Sequence, residues 1–479
     1  MTGRDRAVGL TRKGFLGFGG AFLASGGLNA GAAETARTSD GTVRVSQDVP
    51  VLGDYDVCVV GAGPGGIGAA VAAARAGKRV CLVEHYGYPG GVGTNCDTPT
   101  FFRFADGERQ FIRGIADEIV RRLDRRNAAW FLTRDGRYQP DYANPVRDQP
   151  LTWRVRSRVE DMRVAYHDLM DEAGVDKVFY AHLCGAVRDG RRLTAAIIDC
   201  LEGPRAVRAR IFVDATGAAH LIHRAGGRTT LAAPDKTMHK SVWAHVADSD
   251  VTPEVMAENR KIYDNLYRNH RERLPANVWA QLDGMGVSVG YVNGNSCDSR
   301  DMTRMDAEMR RRNFEVLAAF KRELRGFDRA YIDTAIHQVG SRSGRHIVGR
   351  ECLSAAVVLA DKPPANSVMP IYRYWGAHAA SMKKGFRGGN AGERTGLGGL
   401  PYGALVPADL DNVFACGLGI AVEEDYVETI RMMPSCIASG QVAGTAAALA
   451  LDRSLADVGA VPYGELVKRL EAHDFIVRC

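Results

Sequence analysis

The residues with the clearest chemical meaning form a glycine-rich turn in the first fifth of the chain. The pattern G-x-G-x-x-G spans Gly61 to Gly66, directly after the apolar run Val57–Val60, and a stretch rich in alanine follows it. This order predicts a buried strand, a tight turn and a helix whose free N–H groups face a pyrophosphate. The residues predicted to bind a dinucleotide here are Gly61, Gly63, Pro64, Gly65 and Gly66.

A second apolar run, Val80–Val83, is predicted to be the neighbouring strand of a parallel sheet. It ends in Glu84, about 20 residues beyond the glycines, where a carboxylate can bind a ribose 2′-hydroxyl. An acid at this position favours a cofactor with a free 2′-hydroxyl, which means FAD or NAD rather than NADP. The alternative, an ordinary glycine-rich turn between a strand and a helix, does not explain Glu84.

Two later segments are predicted to complete the same domain. Ala209–Val213 is a third buried strand that leads into Thr216 and Gly217, so the nucleotide-binding domain resumes there after an insertion. Asn412–Gly419 is predicted to be a last short strand. Arg431–Leu451 is predicted to be a helix rich in small residues, which can lie close against a flat ring or another backbone. An alanine-rich core helix is the alternative for that segment.

Hydrophobic periodicity predicts the remaining elements. Helices are predicted over 108–126, Arg158–Gly174, Pro253–Arg273, Met305–Leu324 and Pro462–His473. Strands are predicted over Val175–Tyr180, Leu193–Leu201 and Trp243–Ala247, and Val368–Leu405 is predicted to be loop.

The composition is that of a globular protein, with 46% hydrophobic and 25% charged residues in 479. The net charge of +6 comes without a basic patch interleaved with aromatic residues, so no nucleic-acid partner is predicted. None of the ten cysteines forms a C-x-x-C pair, so the sequence predicts neither a zinc knuckle nor a dithiol, and no metal site is evident.

The first 32 residues have the pattern of an export signal rather than of a folded element. A basic start is followed by the mildly apolar Phe15–Leu28 and by Ala30-Gly31-Ala32, which is similar to a cleavage site. Thr11–Leu16 resembles the twin-arginine export motif, with Lys13 in place of the second arginine. We therefore expect a periplasmic or extracellular protein without a membrane span in its mature form. An unfolded N-terminal extension is the alternative.

Taken together, these segments resemble the bacterial FAD-dependent oxidoreductases of the glutathione-reductase-like group, which have two dinucleotide-binding domains. Four blocks carry the resemblance: VVGAGPGGIGAAVAAARAGKRVCLVEHYGYPGG, RARIFVDATGAAHLIHRAGG, GFDRAYIDTAIHQVGSRSGRHIVGRECL and NVFACGLGIAVEEDYVETIRMMPSCIASGQVAGTAAALAL. The resemblance implies an α/β fold, in which a Rossmann-like FAD-binding domain with a parallel sheet is split by an inserted α+β substrate or cap domain. The implied boundaries are a signal peptide over 1–32, a linker over 33–50, FAD-binding parts over 51–95, 175–232 and 405–452, inserted parts over 96–174 and 233–404, and a C-terminal helix over 453–479.

The same resemblance implies roles for individual residues. Gly61, Gly63 and Gly66 would hold the pyrophosphate of FAD, and Glu84 would bind the adenosine ribose. The remaining implied contacts are Gly90 and Gly91 on the flavin side, Thr216 and Gly217 near the adenine half, and Gly417, Pro434 and Gly440 over the ribityl chain and isoalloxazine ring.

Catalysis needs a proton acceptor and a means of stabilising charge, because the flavin itself accepts the hydride. Arg431 precedes the helix expected to point at the flavin, where a cation could stabilise reduced flavin or a substrate carboxylate, unless it forms a salt bridge with Glu424 or Glu428. The candidate bases are His346, His220, His223, Glu424 and Tyr426, and Arg342 of the arginine-rich block is a further catalytic candidate. Cys96 and Cys436 are either reactive thiols or packed ones.

No second G-x-G-x-x-G follows a predicted strand, so no domain for a nicotinamide cofactor is visible in the sequence. We therefore expect a small organic substrate to supply the electrons, and oxygen, a quinone or an electron-carrier protein to receive them. The alternatives are a reductase that a partner protein supplies with electrons and a flavin-binding protein without turnover.

Overall fold

The structure is a computed structural model of the 479-residue chain. It describes residues 34–37, 43–105, 109–132, 138–140, 154–238, 240–250, 287–373 and 396–478, together with short pieces between 252 and 262. The chain divides into two compact units, Met1–Val49 and Pro50–Cys479. The predicted signal peptide lies outside the described residues, as does most of the predicted helix Pro253–Arg273.

The described part of the first unit is a β-hairpin. Strands β1 (Glu34–Arg37) and β2 (Val43–Ser46) pair antiparallel, with Glu34 opposite Ser46. This differs from the linker predicted over 33–50. The reason is local, because Val43 and Val45 alternate with polar residues, and β-branched residues in alternation favour an extended strand.

The second unit contains the remaining elements, which follow in chain order. They are β3 (Val51–Val60), α1 (Pro64–Arg75), β4 (Val80–Val83), α2 (Val92–Asn95), β5 (Thr100–Phe102), α3 (Ile115–Arg125), β6 (Ala129–Leu132), β7 (Tyr138–Pro140), β8 (Arg154–Ser157), α4 (Val159–Glu172), β9 (Asp176–Val178), β10 (His182–Asp189), β11 (Arg192–Cys200), β12 (Gly203–Asp214), α5 (His220–Arg224), β13 (Thr229–Thr230), β14 (Lys240–Ala247), β15 (Val287–Val292), α6 (Ser299–Glu323), β16 (Tyr331–Ala335), β17 (His346–Ile347), α7 (Ala355–Val358), β18 (Ser367–Tyr372), β19 (Leu397–Pro401), β20 (Val413–Ala415), α8 (Met433–Asp452) and α9 (Tyr463–Glu471).

A parallel sheet with the order β9-β4-β3-β12-β20 forms the centre of this unit. The first half of β12 pairs antiparallel with β11, which pairs with β10. Val57–Val60 and Val80–Val83 are buried, as apolar runs covered on both faces of a parallel sheet should be. The predicted α/β fold with a parallel sheet is therefore confirmed.

Besides the two-stranded pairs β13-β17 and β18-β19, two larger sheets come from the segments between the parts of the central sheet. One has the order β5-β8-β6-β7, and the other has the order β15-β14-β16 and packs against α6. Within the described residues, no helix is long and apolar enough to cross a membrane.

Several predicted elements differ from the structure. The strand predicted over Val175–Tyr180 is present as β9, which pairs with β4, but the following strand β10 was not predicted. Val368–Leu405 is not all loop, because β18 and β19 pair antiparallel within it. The helix predicted from residue 108 begins only at Ile115, since Gly114 adopts a φ of +72°, which a helix does not accommodate.

Helices α1 and α8 are in close contact, and this contact fixes the position of α8. A Cβ on Gly440 would lie 1.9 Å from the carbonyl oxygen of Gly65, and one on Gly444 would lie 2.2 Å from that of Ala69. The small residues of α8 thus face another backbone, which was one of the two possibilities the sequence left open. Gly440 itself therefore packs on α1 rather than over a flavin ring.

We predict that Gly440→Val lowers the free energy of unfolding by about 3 kcal/mol, because the added atoms have no space against α1. The same substitution at Gly464 of α9, where a Cβ would have no neighbour within 4 Å, should change it by less than about 0.5 kcal/mol. Urea denaturation of both variants measures the difference. Equal effects at the two positions would contradict the assigned helix contact.

Candidate active site

A cleft of about 1950 Å³ lies where the turn after β3, the start of α8 and the inserted sheets meet. Of the residues predicted to form the site, the cleft is lined by Gly61, Gly63, Pro64, Gly65, Glu84, Gly91, Thr216, Gly217, Gly417, Arg342 and Arg431. Gly66, Gly90, Pro434, Gly440 and His346 are not among its lining residues.

The glycine-rich turn has the geometry of an anion site. Gly61 adopts a φ of +104°, and its N–H donates to the carbonyl oxygen of Val83 at 2.7 Å. A Cβ on Gly66 would lie 1.7 Å from the carbonyl oxygen of Gly61, so only glycine allows α1 to start so close to the strand. A Cβ on Gly63 would approach nothing nearer than 3.9 Å, which leaves open space over the turn. The first N–H groups of a helix lack partners within the helix, so the start of α1 at this turn is a suitable place for an anion.

Glu84 holds this turn in place from the adjacent strand. Its Oε2 accepts a hydrogen bond from the Ala62 N–H at 2.7 Å, and its Oε1 accepts one from the Tyr86 N–H at 3.0 Å. A carboxylate has about four lone-pair sites, so the side chain can still accept hydrogen bonds from a ligand in the cleft. Its role toward a ribose stays a prediction.

Asp214 organises the opposite wall. The buried carboxylate accepts hydrogen bonds from the N–H and Oγ1 of Thr216 and from the N–H of Ile222. Burial nevertheless raises the pKa of Asp214. These bonds fix the bend at Gly217, whose φ is +76°, and the start of α5.

The histidine candidates separate into two groups. His220 and His223 line the cleft, and Nδ1 of His220 lies 3.2 Å from a guanidinium nitrogen of Arg345. Burial, and then the charge of Arg345, lower the pKa of His220 to about 4, so its ring is neutral at pH 7. His346 is only 3% exposed, and its Nε2 lies 3.5 Å from Glu424. As the cleft is lined by neither His346 nor Glu424, His346 is not placed to act as the catalytic base.

Arg431 lies in the cleft beside the first turn of α8. It donates a hydrogen bond from Nη2 to Oε1 of Glu428, which is itself 3% exposed. The salt bridge considered from the sequence is thus present, and its partner is Glu428 rather than Glu424. Both residues line the cleft, so the pair presents a partly buried cation and a buried anion at the same place.

Cys96 and Cys436 both line the cleft, and burial raises the pKa of each thiol to about 12. The Cys436 thiol donates to the carbonyl oxygen of Ile430 at 3.4 Å. A neutral thiol is a poor nucleophile, so this geometry favours packed thiols over reactive ones. Among the residues that the structure describes, no group of histidine, cysteine and acidic side chains could hold a metal ion.

Two buried polar residues were missed by sequence reasoning. Asn95, at the end of α2, is 1% exposed and lines the cleft, and neither polar atom of its side chain has a hydrogen-bond partner. Lys240 is fully buried and donates to Oγ1 of Thr237 and to the carbonyl oxygen of Met238. Burial lowers the pKa of Lys240 to about 8. Nothing in the local sequence distinguishes either side chain from an exposed one.

The chain belongs to the family described as "FAD dependent oxidoreductase", whose model matches residues 56–470. Aklavinone 12-hydroxylase DnrF of Streptomyces peucetius is 30% identical over 197 residues, which are 37% of this chain and 38% of that protein. This chain thus matches well under half of the length of that relative.

Solved structures also show similarity. A geranylgeranyl bacteriochlorophyll reductase-like protein from Thermoplasma acidophilum is 14% identical, with 88% of this chain and 84% of that chain covered and a TM-score of 0.44. OxyS anhydrotetracycline hydroxylase from Streptomyces rimosus is 13% identical, with 88% and 65% covered and a TM-score of 0.42.

The family match shows that the protein is an FAD-dependent enzyme, and the cleft fits FAD on two observations. The space over Gly63 leaves room for a pyrophosphate against the start of α1. The unpaired amide of Asn95 offers a donor and an acceptor, which a flavin ring, with its adjacent carbonyl and N–H groups, can satisfy.

We predict that Asn95→Leu has opposite effects on stability and on FAD binding. Removing a buried, unpaired amide should stabilise the FAD-free protein by about 1 kcal/mol, whereas the dissociation constant for FAD should rise about tenfold. Urea denaturation of the FAD-free protein and fluorescence titration with FAD measure the two effects.

Asn412→Leu is the matched control, because Asn412 is equally buried but makes hydrogen bonds to the backbone of Leu193 and Arg210. It should destabilise the FAD-free protein. If Asn95→Leu is also destabilising, or leaves FAD affinity unchanged, the amide does not face the cofactor.

Proposed function

We propose that this enzyme oxidises a small organic substrate and passes the electrons to oxygen, a quinone or an electron-carrier protein. FAD supplies the two-electron chemistry when bound. The observation that carries the proposal is the size of the cleft. At about 1950 Å³ it is roughly twice the upper end of the range for a pocket that holds one ligand, so a substrate fits beside the cofactor.

The two parts of the cleft are lined by different segments of the chain, which supports one part for the cofactor and the other for the substrate. The turn Gly61–Gly65, Thr216 and Gly417 all follow strands of the central sheet. The other part is lined from the two inserted sheets and from the start of α6. Export by the twin-arginine route, supported by the sequence over 4–32, belongs to the same proposal and places the reaction outside the cytoplasm.

Arg431 and Glu428 are the residues we assign to charge control in this reaction. Arg431 precedes α8, and the N-terminal end of a helix carries a partial positive charge. A cation together with this helix end stabilises negative charge that develops on the electron acceptor in the cleft. The negative charge of Glu428 partly offsets the positive charge of Arg431, so the pair is less positive than the arginine alone.

We predict opposite changes in the reduction potential of the bound flavin when the two partners are removed one at a time. Arg431→Met leaves the buried Glu428 carboxylate alone and should lower the potential, while Glu428→Gln leaves the cation alone and should raise it. Each change should be on the order of 30 mV. Equilibration with redox dyes measures both. Shifts of the same sign, or none, would remove the pair from the reaction.

Hydroxylation is a second candidate function, and the similarity to aklavinone 12-hydroxylase favours it. The two functions differ in the source of electrons. A dehydrogenase or oxidase takes them from the organic substrate, whereas a hydroxylase of this kind needs a separate reductant and oxygen.

The deciding experiment is anaerobic mixing of the purified enzyme with panels of small alcohols, amines and acids. Loss of the visible flavin absorbance with one of these compounds and no other donor is the outcome we expect. Loss of absorbance only with a reduced nicotinamide, faster when an aromatic compound is present, would instead show a separate electron donor, and aerobic formation of a hydroxylated product would then establish the hydroxylase reaction.

A further inference from the structure

Arg345 reaches the cleft because the chain before it packs against the turn that follows β12. A Cβ on Gly344 would lie 2.9 Å from the Cβ of Ala218, so the lack of a side chain at residue 344 allows this close approach. Arg345 comes next and lines the cleft together with His220, the first residue of α5. Nη1 of Arg345 lies 3.2 Å from Nδ1 of His220, and we call these two residues the Arg345–His220 pair.

The contact with Arg345 determines which ring nitrogen of His220 carries the proton. An arginine side chain only donates hydrogen bonds, so Nδ1 accepts, and the proton of the neutral ring is on Nε2. The ring is neutral at pH 7, because burial and the charge of Arg345 lower its pKa to about 4. In the described part of the chain no hydrogen bond uses Nε2, so this N–H is a donor that a ligand in the cleft can use.

Most of the Arg345 guanidinium is also available to a ligand. Its contact with the imidazole uses one nitrogen, and among the described residues no acidic side chain forms a salt bridge with it. This distinguishes it from Arg158, which lines the same cleft but is paired with Asp161. A partly buried guanidinium without a countercharge is suited to an anion, because the hydrogen bonds between them are charge-assisted.

The groups around the pair add positive rather than negative charge. Arg224, His223 and His182 also line the cleft, and their charges contribute to lowering the pKa of His220. The acid that supports α5 is Asp214, which is 1% exposed and accepts a hydrogen bond from the backbone of that helix. It is not among the lining residues of the cleft. This end of the cleft therefore favours an anion over a neutral ligand.

We propose that the Arg345–His220 pair binds an oxyanion, either a carboxylate or a phosphate, of a second ligand that enters the cleft beside FAD. Arg345 supplies N–H donors in a fork that matches two oxygens, and Nε2–H of His220 supplies a further donor. The oxyanion belongs to the organic substrate or, in a hydroxylase, to the separate electron donor. This inference rests on the proposed function, and it adds that the molecule that reacts with FAD is an anion.

The first test asks where the proton of His220 lies, by nitrogen NMR of the FAD-loaded full-length enzyme labelled with ¹⁵N-histidine. The signals of His220 are those that disappear in His220→Gln. In the unmodified enzyme the proton should be on Nε2. A proton on Nδ1 would overturn the inference, because Nδ1 could not then accept a hydrogen bond from Arg345.

The second test titrates the same labelled enzyme with acetate, with inorganic phosphate and with acetamide, a neutral probe of nearly the same shape as acetate. Both anions should shift the signals of His220 and should bind at least about tenfold more tightly than acetamide, because charge-assisted hydrogen bonds form only with the anions. Equal affinities for acetate and acetamide, or no shift with either anion, would overturn the inference. Shifts that occur only in the FAD-free enzyme would also overturn it, because the pair would then bind FAD itself.

Variants assign the binding to the pair. Arg345→Met should weaken both anions at least about tenfold, since it removes the charged donor. Arg158→Met is the matched control: it removes a guanidinium from the same cleft, but one that is paired with Asp161, so the affinities should change less than about threefold. Anion affinities that are the same in Arg345→Met as in the unmodified enzyme would overturn the inference.

Competition with phosphate then identifies the molecule that carries the oxyanion. Displacement of phosphate by an acid that reduces the flavin in the anaerobic experiment would assign the oxyanion to the substrate. Displacement by a reduced nicotinamide dinucleotide would assign it to the electron donor. Because these are equilibrium measurements without turnover, their failure is distinct from failure of the proposed oxidation, which shows in the anaerobic experiment.

Discussion

The direct contact between the backbones of α1 and α8 is the constraint on which the rest of the site depends. Gly440 and Gly444 bring α8 against Gly65 and Ala69, so the two helices approach more closely than larger side chains would allow. That approach carries the first turn of α8, with Arg431 just before it, to the same cleft as the start of α1. Two helix N-termini and their partial positive charges therefore lie at one cleft.

The same contact shows which features could be predicted from the sequence alone. The strands Val57–Val60 and Val80–Val83 and the turn between them were predicted because apolar runs and glycine spacing are local signals. A stretch of small residues in α8 was ambiguous, since a flat ring and a neighbouring backbone both require small side chains. Only the assembled fold shows that Gly440 faces α1. The central sheet and the glycine turn could thus be predicted from the sequence, whereas the partner against which α8 packs could not.

The polar part of the site was harder to predict, because burial and strand pairing decide what a charged side chain does. His346 belongs to an arginine-rich block that suggested catalysis, yet it is buried in the short pair of β13 and β17. Asn95 looks like a loop residue in the sequence, but the fold buries its amide. The pairing of β8 with β5 and β6 brings Arg154 and Arg156 to the wall of the cleft. That pairing joins segments far apart in the sequence, so it could not be predicted from local signals.

The two parts of the cleft differ in the groups that line them and in how those groups carry charge. Burial keeps the thiols of Cys96 and Cys436 and the ring of His220 neutral at pH 7, so arginines provide the permanent positive charges. Near the glycine turn, the groups that line the cleft belong to the backbone or are hydrogen-bonded to it, as with Glu84. In the other part of the cleft, they are side chains from the inserted strands. Substitutions in the inserted strands can therefore alter this part of the cleft without disturbing the contact between α1 and α8, because that contact is made by other residues.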